Sequence, residues 1–276
     1  MTRPFVGRHG PRTLKNLIGA MVIFSLPAVS FGGGTPPKPE LSRLVREADD
    51  YYLGRWRVEN VEKGLDLLRE DVGKNPNDYE AWWRIAQFDC YLARNSDGPG
   101  NAQILEEGIR AGKKAVALDP NRPEGHFWLG ADYGLDAEEK GLLQGLRLVG
   151  RIREQMETTE KLDPSYQECG AQRTLARLDY KVPFFAGGDK RRSVQLLEGC
   201  LKKYPHDSLT MLYLAQSLLA LGQRAEARSE LQKILRLCPD PNYGPEQRRN
   251  QAKARALLAR EFGQKISAAA PSAAGP

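Results

Sequence analysis

Five prolines at regular spacing divide most of this chain into segments of similar length. They are Pro76, Pro120, Pro164, Pro205 and Pro239, separated by 44, 44, 41 and 34 residues. Each follows an amphipathic helical stretch. Because proline disfavours the α conformation of the residue before it and suits the start of a new helix, each one separates two helices. The spacing therefore predicts repeated helical hairpins, which bury their apolar faces by stacking on one another.

The last interval fits a known repeat position by position. Counting Ser208 as position one, small and apolar residues occupy positions 4, 7, 8, 11, 15, 20, 24, 27 and 32: Met211, Leu214, Ala215, Leu218, Gly222, Ala227, Leu231, Ile234 and Pro239. This pattern resembles the 34-residue tetratricopeptide consensus. The two alanines are small enough for antiparallel helices to cross closely. The resemblance implies an all-α, tetratricopeptide-like solenoid.

The earlier units match this pattern at their ends and are longer in the middle. Gly108 and Ala115 take the small positions of one second helix, and the extra residues fall in turns inside the hairpins, at 95–101, 134–145 and 181–190. A further hairpin is predicted at 41–55 and 58–74, and a capping helix at 245–263 with Arg248 and Arg249 facing outward. We therefore expect about five hairpins and a carboxy-terminal cap, ten to eleven helices in all.

The amino terminus resembles a secretory signal peptide. Four basic residues precede an apolar run at 17–26, and the small residues Ala28 and Ser30 follow it. Pro27 ends this run before the roughly 20 residues that a membrane-spanning helix needs, although an uncleaved anchor remains an alternative. We expect export to the periplasm. The predicted divisions are a signal peptide at 1–30, a linker at 31–40, the repeat domain at 41–264 and a disordered tail at 265–276.

Removal of the signal peptide changes the charge of the protein. The full chain carries a formal net charge of +6, and the removed segment holds four Lys or Arg and no Asp or Glu, which leaves 6 − 4 = +2. A chain so close to neutral has no general attraction for phosphate backbones. Nucleic acid is therefore not expected as a partner.

Residues capable of catalysis or metal binding form no recognisable set. The cysteines show no CxxC or Cys/His spacing, and we expect four small buried side chains: Cys90, Cys169, Cys200 and Cys238. Carboxylates cluster between Asp132 and Glu139, but solvated helix charges are the commoner explanation. Because no nucleophile, base and orienting group can be named together, we predict no enzyme activity, cofactor or metal site.

The concave face of the predicted stack is apolar. In tetratricopeptide proteins the first helix of each repeat presents certain positions to this groove, and the resemblance gives as binding candidates Trp83, Gln87, Phe127, Ala131, Leu175, Leu212 and Gln216. The Lys, Arg and Asn residues that hold a carboxylate in chaperone-tail clamps are missing from these positions. An apolar groove can accept a partner helix or a hydrophobic ligand, or it can be filled by the protein's own carboxy-terminal helix or long turns.

The long turn before residue 192 combines two aromatic residues with a basic run. Phe184 and Phe185 precede Lys190, Arg191 and Arg192, and this combination predicts a docking loop. In the alternative interpretation the phenylalanines plug the open end of the hairpin, and the intervening glycines supply the positive φ that the turn requires.

Three short segments resemble the T component associated with tripartite ATP-independent periplasmic (TRAP) transporters, over about residues 45–260. They are Pro123-Glu124-Gly125-His126-Phe127-Trp128-Leu129-Gly130, Lys181-Val182-Pro183 and Gly187-Gly188. The resemblance implies association with an extracytoplasmic solute-binding protein. No lipid-accepting cysteine lies beside the signal peptide, so membrane association stays open. We predict a non-catalytic exported scaffold for protein–protein interaction, with a carrier of a hydrophobic small molecule as the alternative.

Overall fold

The computed structural model describes residues 40–95 and 101–263. These residues form twelve α-helices and two short 3₁₀ turns, with no strand among them. The predicted signal peptide, most of the linker and the predicted tail lie outside the described residues. The helices are α1 (Arg43–Leu53), α2 (Val58–Lys74), α3 (Tyr79–Asn95), α4 (Asn101–Leu118), α5 (Pro123–Glu139), α6 (Gly141–Gly145), α7 (Val149–Leu162), α8 (Gly170–Lys181), α9 (Lys190–Lys203), α10 (Ser208–Ala220), α11 (Arg224–Arg236) and α12 (Gly244–Phe262).

Ten of the longer helices pair into five hairpins. The pairs are α1 with α2, α3 with α4, α5 with α7, α8 with α9, and α10 with α11, and α12 packs on the last pair. Each second helix also contacts the first helix of the next unit. The described chain is therefore the predicted helical solenoid of five hairpins and a carboxy-terminal cap.

The repeat positions of the last hairpin explain its packing. Met211, Leu214 and Leu218 of α10 and Leu231 and Ile234 of α11 are all buried. The predicted crossing residues Ala215 and Ala227 are fully inaccessible to solvent, and Gly222 turns the chain between the helices with φ at +77°. A side chain is strained at this φ, so glycine suits the position.

One long turn begins later than the sequence indicates. Glycine at position 134 suggests that the first helix of the third unit ends there, but α5 continues to Glu139. Gly134 lies where an added Cβ would contact nothing, so α5 passes through it without a packing requirement. Gly141, with φ at +74°, marks the true turn, and α6 and one 3₁₀ turn occupy the extra length before α7.

The cysteines do not all behave as small buried side chains. Cys169 at the start of α8 and Cys200 near the end of α9 form a disulfide, with their Cα atoms 5.9 Å apart. Cys90 is buried and free, and Cys238 is exposed. The sequence interpretation missed the pair because 31 residues separate the two cysteines, and only the antiparallel hairpin brings them together.

The described helices differ from membrane spans in length or hydropathy. Across residues 40–95 and 101–263, none is both long enough and apolar enough to cross a bilayer.

Candidate functional site

The structure buries four of the seven groove candidates. Phe127, Ala131 and Leu175 lie in one apolar cluster built mainly from α5, α7 and α8, and Leu212 lies in another between α10 and α12. Their exposed fractions range from 1% to 9%. Neighbouring helices cover these side chains, so the structure does not present them to an open groove.

The other three candidates are half-buried, and two of them hold neighbouring side chains in place. Trp83 donates to a Glu80 carboxylate oxygen at 3.0 Å, and the guanidinium of Arg84 lies over its ring at 4.1 Å. The Gln216 side-chain oxygen accepts a hydrogen bond from Arg177 at 2.6 Å. Gln87 lies one turn beyond Trp83 on α3.

The carboxy-terminal helix reaches across to the first two hairpins. Arg55, in the turn between α1 and α2, donates to Glu246 of α12 at 2.9 and 3.2 Å and also to the carbonyl of Asn242. Further along α12 the guanidinium of Arg249 lies 5.9 Å from the ring of Tyr91 on α3. These contacts favour the alternative in which the protein's own last helix occupies the concave side.

Two clefts remain beside α12. One has a volume of about 380 Å³ and is lined by Trp56, Tyr91, Asn95, Pro245, Arg248, Arg249 and Ala252. The other, of about 460 Å³, is lined by Arg177, Tyr180, Lys181, Gln216, Leu219, Ala220, Leu257, Arg260 and Glu261. Each cleft has two arginines and one tyrosine in its lining, which the apolar positions chosen from the sequence did not indicate. Arg248 and Arg249, expected to face outward, line the first cleft, where Arg248 is exposed and Arg249 is half-buried.

The turn between α8 and α9 presents both of its phenylalanines to solvent. Phe184 is 91% exposed and Phe185 is 84% exposed. They therefore do not plug the end of the hairpin, because a plugging side chain would be buried. Lys190 and Arg191 are exposed just after them, and Asp189 caps α9 by accepting from the backbone N–H groups of Arg191 and Arg192.

The base of this turn is tightly held. Gly188 donates its N–H to the carbonyl of Pro183 at 3.1 Å, and a Cβ on Gly188 would lie 1.8 Å from the carbonyl oxygen of Val182. The carboxylate of Asp179, fully buried, pairs with Arg153 at 3.0 Å and with Arg192 at 3.1 Å. Arg192 therefore stabilises the turn, whereas the two phenylalanines project from it.

A second apolar tip lies near this turn. Leu142 and Leu143, in the turn between α5 and α7, are 59% and 83% exposed. The two turns are close neighbours, since Lys181 at the end of α8 pairs with Glu138 at the end of α5 at 3.6 Å. The same edge of the solenoid thus carries four exposed large apolar side chains. Sequence reasoning placed residues 134–145 in a turn but did not single out Leu142 and Leu143 within it.

Two buried carboxylates stand apart from these surfaces. Asp89 of α3 is fully buried and accepts no hydrogen bond within the described residues. Burial raises its pKa to about 8, and the nearby Glu107 acts in the same direction. Burial also raises the pKa of Asp132 well above its usual range, and the charge of Asp89 adds to the effect. Helix α4 approaches both side chains closely at Gly108, where it carries no side chain of its own. This close approach keeps the two carboxylates away from solvent.

Among the described residues, no group of three or more His, Cys, Asp and Glu side chains is arranged to hold a metal ion.

Comparison with known proteins places the chain in a family. The family model described as "Regulator of microtubule dynamics protein 1-3" matches residues 44–182, half of the chain, and a tetratricopeptide repeat model matches residues 209–241. The chain belongs to the regulator of microtubule dynamics protein 1-3 family. The Caenorhabditis elegans regulator of microtubule dynamics protein 1 is 22% identical over 188 residues, which are 63% of this chain and 82% of that protein.

A second relative is much longer. Cellulose synthase operon protein C of Xanthomonas axonopodis pv. citri (strain 306) is 28% identical over 254 residues, which are 79% of this chain and 16% of that protein.

Solved structures support the tetratricopeptide fold. A thermophilic tetratricopeptide protein of Thermus thermophilus superposes with a TM-score of 0.57 at 19% identity, covering 78% of this chain and 98% of that one. PilF of Pseudomonas aeruginosa gives a TM-score of 0.51 at 15% identity, covering 80% and 95%. At these identities the likeness concerns the fold alone.

The turn that carries Phe184 and Phe185, called here the phenylalanine turn, lies between the two regions that the family models match. The regulator of microtubule dynamics match ends at residue 182, and the repeat match begins at residue 209. Phe184 and Phe185 therefore lie outside both matched regions.

Proposed function

We propose that this member of the regulator of microtubule dynamics family is a non-catalytic scaffold that binds another protein through the turn carrying Phe184 and Phe185. The observation that carries the proposal is the exposure of both rings, 91% and 84%. Large apolar side chains that project together from a surface are typical of interaction sites. Aromatic residues are also enriched among those that contribute most to binding energy.

The rigidity of the turn supports this role. Gly188 and the buried carboxylate of Asp179 fix its base, so the two rings are presented on a frame that is ordered before binding. A preordered loop loses less conformational entropy when a partner docks. The exposed Leu142 and Leu143 extend the apolar contact on the same edge.

Export of the protein is a further part of the proposal. Disulfides persist in oxidising compartments, so the bond between Cys169 and Cys200 supports a location outside the cytoplasm. The partner is then an exported protein. A solute-binding protein of a TRAP-type transporter is the specific candidate that the sequence resemblance supplies.

The name of the nematode relative describes regulation of microtubule dynamics in that protein. At 22% identity we carry over no partner from this name, and the proposal of a scaffold rests on the tetratricopeptide fold. The alternative of a carrier for a hydrophobic molecule has weaker support, because Phe127, Leu175 and Leu212 are buried and would have to separate from their neighbours before a ligand could enter.

Site-specific photocrosslinking in the native host tests the proposal. A photoreactive phenylalanine analogue at position 184 should crosslink to one partner, whereas the same analogue at position 162, where a half-exposed leucine ends α7, should not. Recovery of the partner should fall at least tenfold in the F184A/F185A variant. Equal crosslinking from both positions, or unchanged recovery with F184A/F185A, would show that the turn is not the docking site.

A further inference from the structure

Four arginines beside the carboxy-terminal helix have no carboxylate partner among the described residues. They are Arg94 of α3, Arg177 of α8, and Arg248 and Arg249 of α12. The acidic groups around them are each paired with another cation: Glu138 with Lys181 at 3.6 Å, Glu246 with Arg55 at 2.9 Å and Glu261 with Arg260 at 2.9 Å. None of the four arginines therefore forms an ion pair within the described residues, and the clefts concentrate the field of the three that line them, Arg177, Arg248 and Arg249.

Tyrosine rings alternate with these arginines. The guanidinium of Arg177 lies 4.6 Å from the ring centre of Tyr213 and 5.1 Å from that of Tyr180. The guanidinium of Arg249 lies 5.9 Å from that of Tyr91. The contact between Arg177 and Tyr213 joins α8 to α10, and the contact between Arg249 and Tyr91 joins α12 to α3. We call these four arginines and three tyrosines the arginine–tyrosine face.

Stacking on tyrosine prepares an arginine for anion binding. A guanidinium held over an aromatic ring keeps the N–H groups at its edge free to donate, and it loses less freedom when it does so. Carboxylates match that edge with two parallel hydrogen bonds. The two clefts, of about 380 and 460 Å³, leave room for a ligand beside α12.

We propose that the arginine–tyrosine face binds an extended acidic segment of a partner protein. The cations are spread from the amino-terminal end of α12, at Arg248, to the end of α8, at Arg177, so one small anion would reach only a part of them. An extended peptide can place successive Asp or Glu side chains along the whole row. A nucleic-acid duplex is too wide for clefts of this volume, and the near-neutral charge expected of the mature chain gives it no wider attraction.

This site is separate from the phenylalanine turn and goes beyond the proposed function. Sequence reasoning excluded a chaperone-tail clamp because the positions that such clamps use carry no Lys, Arg or Asn. The structure supplies the cations from other positions, namely the last turns of α3 and α8 and the amino-terminal half of α12.

Fluorescence anisotropy with labelled peptides tests the site on the purified protein. A ten-residue peptide of alternating Glu and Ser should bind, and the matching Gln and Ser peptide should bind at least tenfold more weakly. The R177Q/R249Q variant should lose at least tenfold in affinity for the acidic peptide. The R236Q/K253Q variant removes the same charge from exposed positions outside both clefts and should bind within twofold of the wild type.

Two further measurements keep the result interpretable. The R177K/R249K variant retains both charges and preserves folding if the Gln variant does not, and it should still lose severalfold because Lys lacks the planar guanidinium. A single-stranded oligonucleotide of ten nucleotides tests nucleic acid as the ligand. Equal binding by the R177Q/R249Q and R236Q/K253Q variants, equal binding of the two peptides, or tighter binding of the oligonucleotide would overturn the proposal.

Discussion

Arg55 and Glu246, 191 positions apart, join the first hairpin to the last helix through an ion pair of 2.9 Å. The Arg55 side chain is 9% exposed, and it also donates to the carbonyl of Asn242 just before α12. Its ring contact with Tyr52 holds the guanidinium from the other side. Because these contacts connect parts of the solenoid that no neighbouring repeat links, they fix the position of α12 beside the concave side.

Removal of this arginine should loosen α12. R55A leaves the Glu246 carboxylate without its partner and should lower the free energy of unfolding by about 2 kcal/mol, the range for hydrogen bonds to charged groups. Urea denaturation measures the loss, and hydrogen exchange should rise at residues 244–252. R69A is the control, because Arg69 pairs with Glu107 at a more exposed site and should lose less than about 1 kcal/mol. Equal losses in the two variants would show that the long-range contact has no special role.

The buried Asp89 predicts a dependence of stability on pH. Its pKa rises from 3.8 to about 8 on folding, so between these values the unfolded chain has released a proton that the folded chain keeps. The contribution of Asp89 to stability therefore falls as pH rises from about 4 to about 8 and then levels off.

The D89N variant should lose this part of the pH dependence. At pH 8 it should be more stable than the wild type by at least about 2 kcal/mol, because one pH unit over that range corresponds to about 1.4 kcal/mol. Urea denaturation at several pH values measures the effect. A matched D66N change at an exposed site should leave the curve as it is. A stability curve for D89N parallel to that of the wild type would show that Asp89 is not the responsible group.

The disulfide should stabilise the fourth hairpin. Reduction opens a loop of 31 residues and should lower the free energy of unfolding by about 4 kcal/mol, the entropy that such a crosslink removes from the unfolded chain. The C169S/C200S variant should show a similar loss without reductant. C238S changes an exposed cysteine and should leave stability unchanged. If reductant alters neither the wild type nor C238S, the bond does not form in solution.

The sequence predicted the fold well because its strongest signals are local and periodic. The proline spacing and the small residues Ala215 and Ala227 determine where helices end and cross, and each acts on neighbouring repeats. The contacts that define the concave side are not of this kind. Distant segments are joined by the contacts of Arg55 with Glu246 and of Arg177 with Tyr213. No regular spacing in the sequence indicates that these residues meet.

The same difference between local and distant contacts explains which site candidates are exposed. Phe184 and Phe185 were found because they lie in a turn, where neighbouring sequence largely decides exposure. Phe127, Leu175 and Leu212 were assigned to a groove from their position in the repeat, but the accumulated packing of the helices covers them. Arg248 is exposed, as expected of a charged residue on a terminal helix, whereas Arg249 is half-buried. The contact of α12 with the first hairpins could not be read from the helix itself.

Gly188 offers a final test, because the backbone at this glycine positions Phe184 and Phe185. G188A would place a methyl group 1.8 Å from the carbonyl oxygen of Val182, so the turn must open, and the variant should lose about 2 kcal/mol or more in unfolding free energy. G199A is the matched control: this glycine lies inside α9 with open space around it, and alanine there should stabilise the protein by about 0.5 to 1 kcal/mol. Thermal denaturation followed by circular dichroism measures both. If the two variants shift stability in the same direction, the close approach at Gly188 does not hold the turn.

Opposite shifts, together with weaker partner capture by G188A, would show that the fixed backbone contributes to binding as well as to folding.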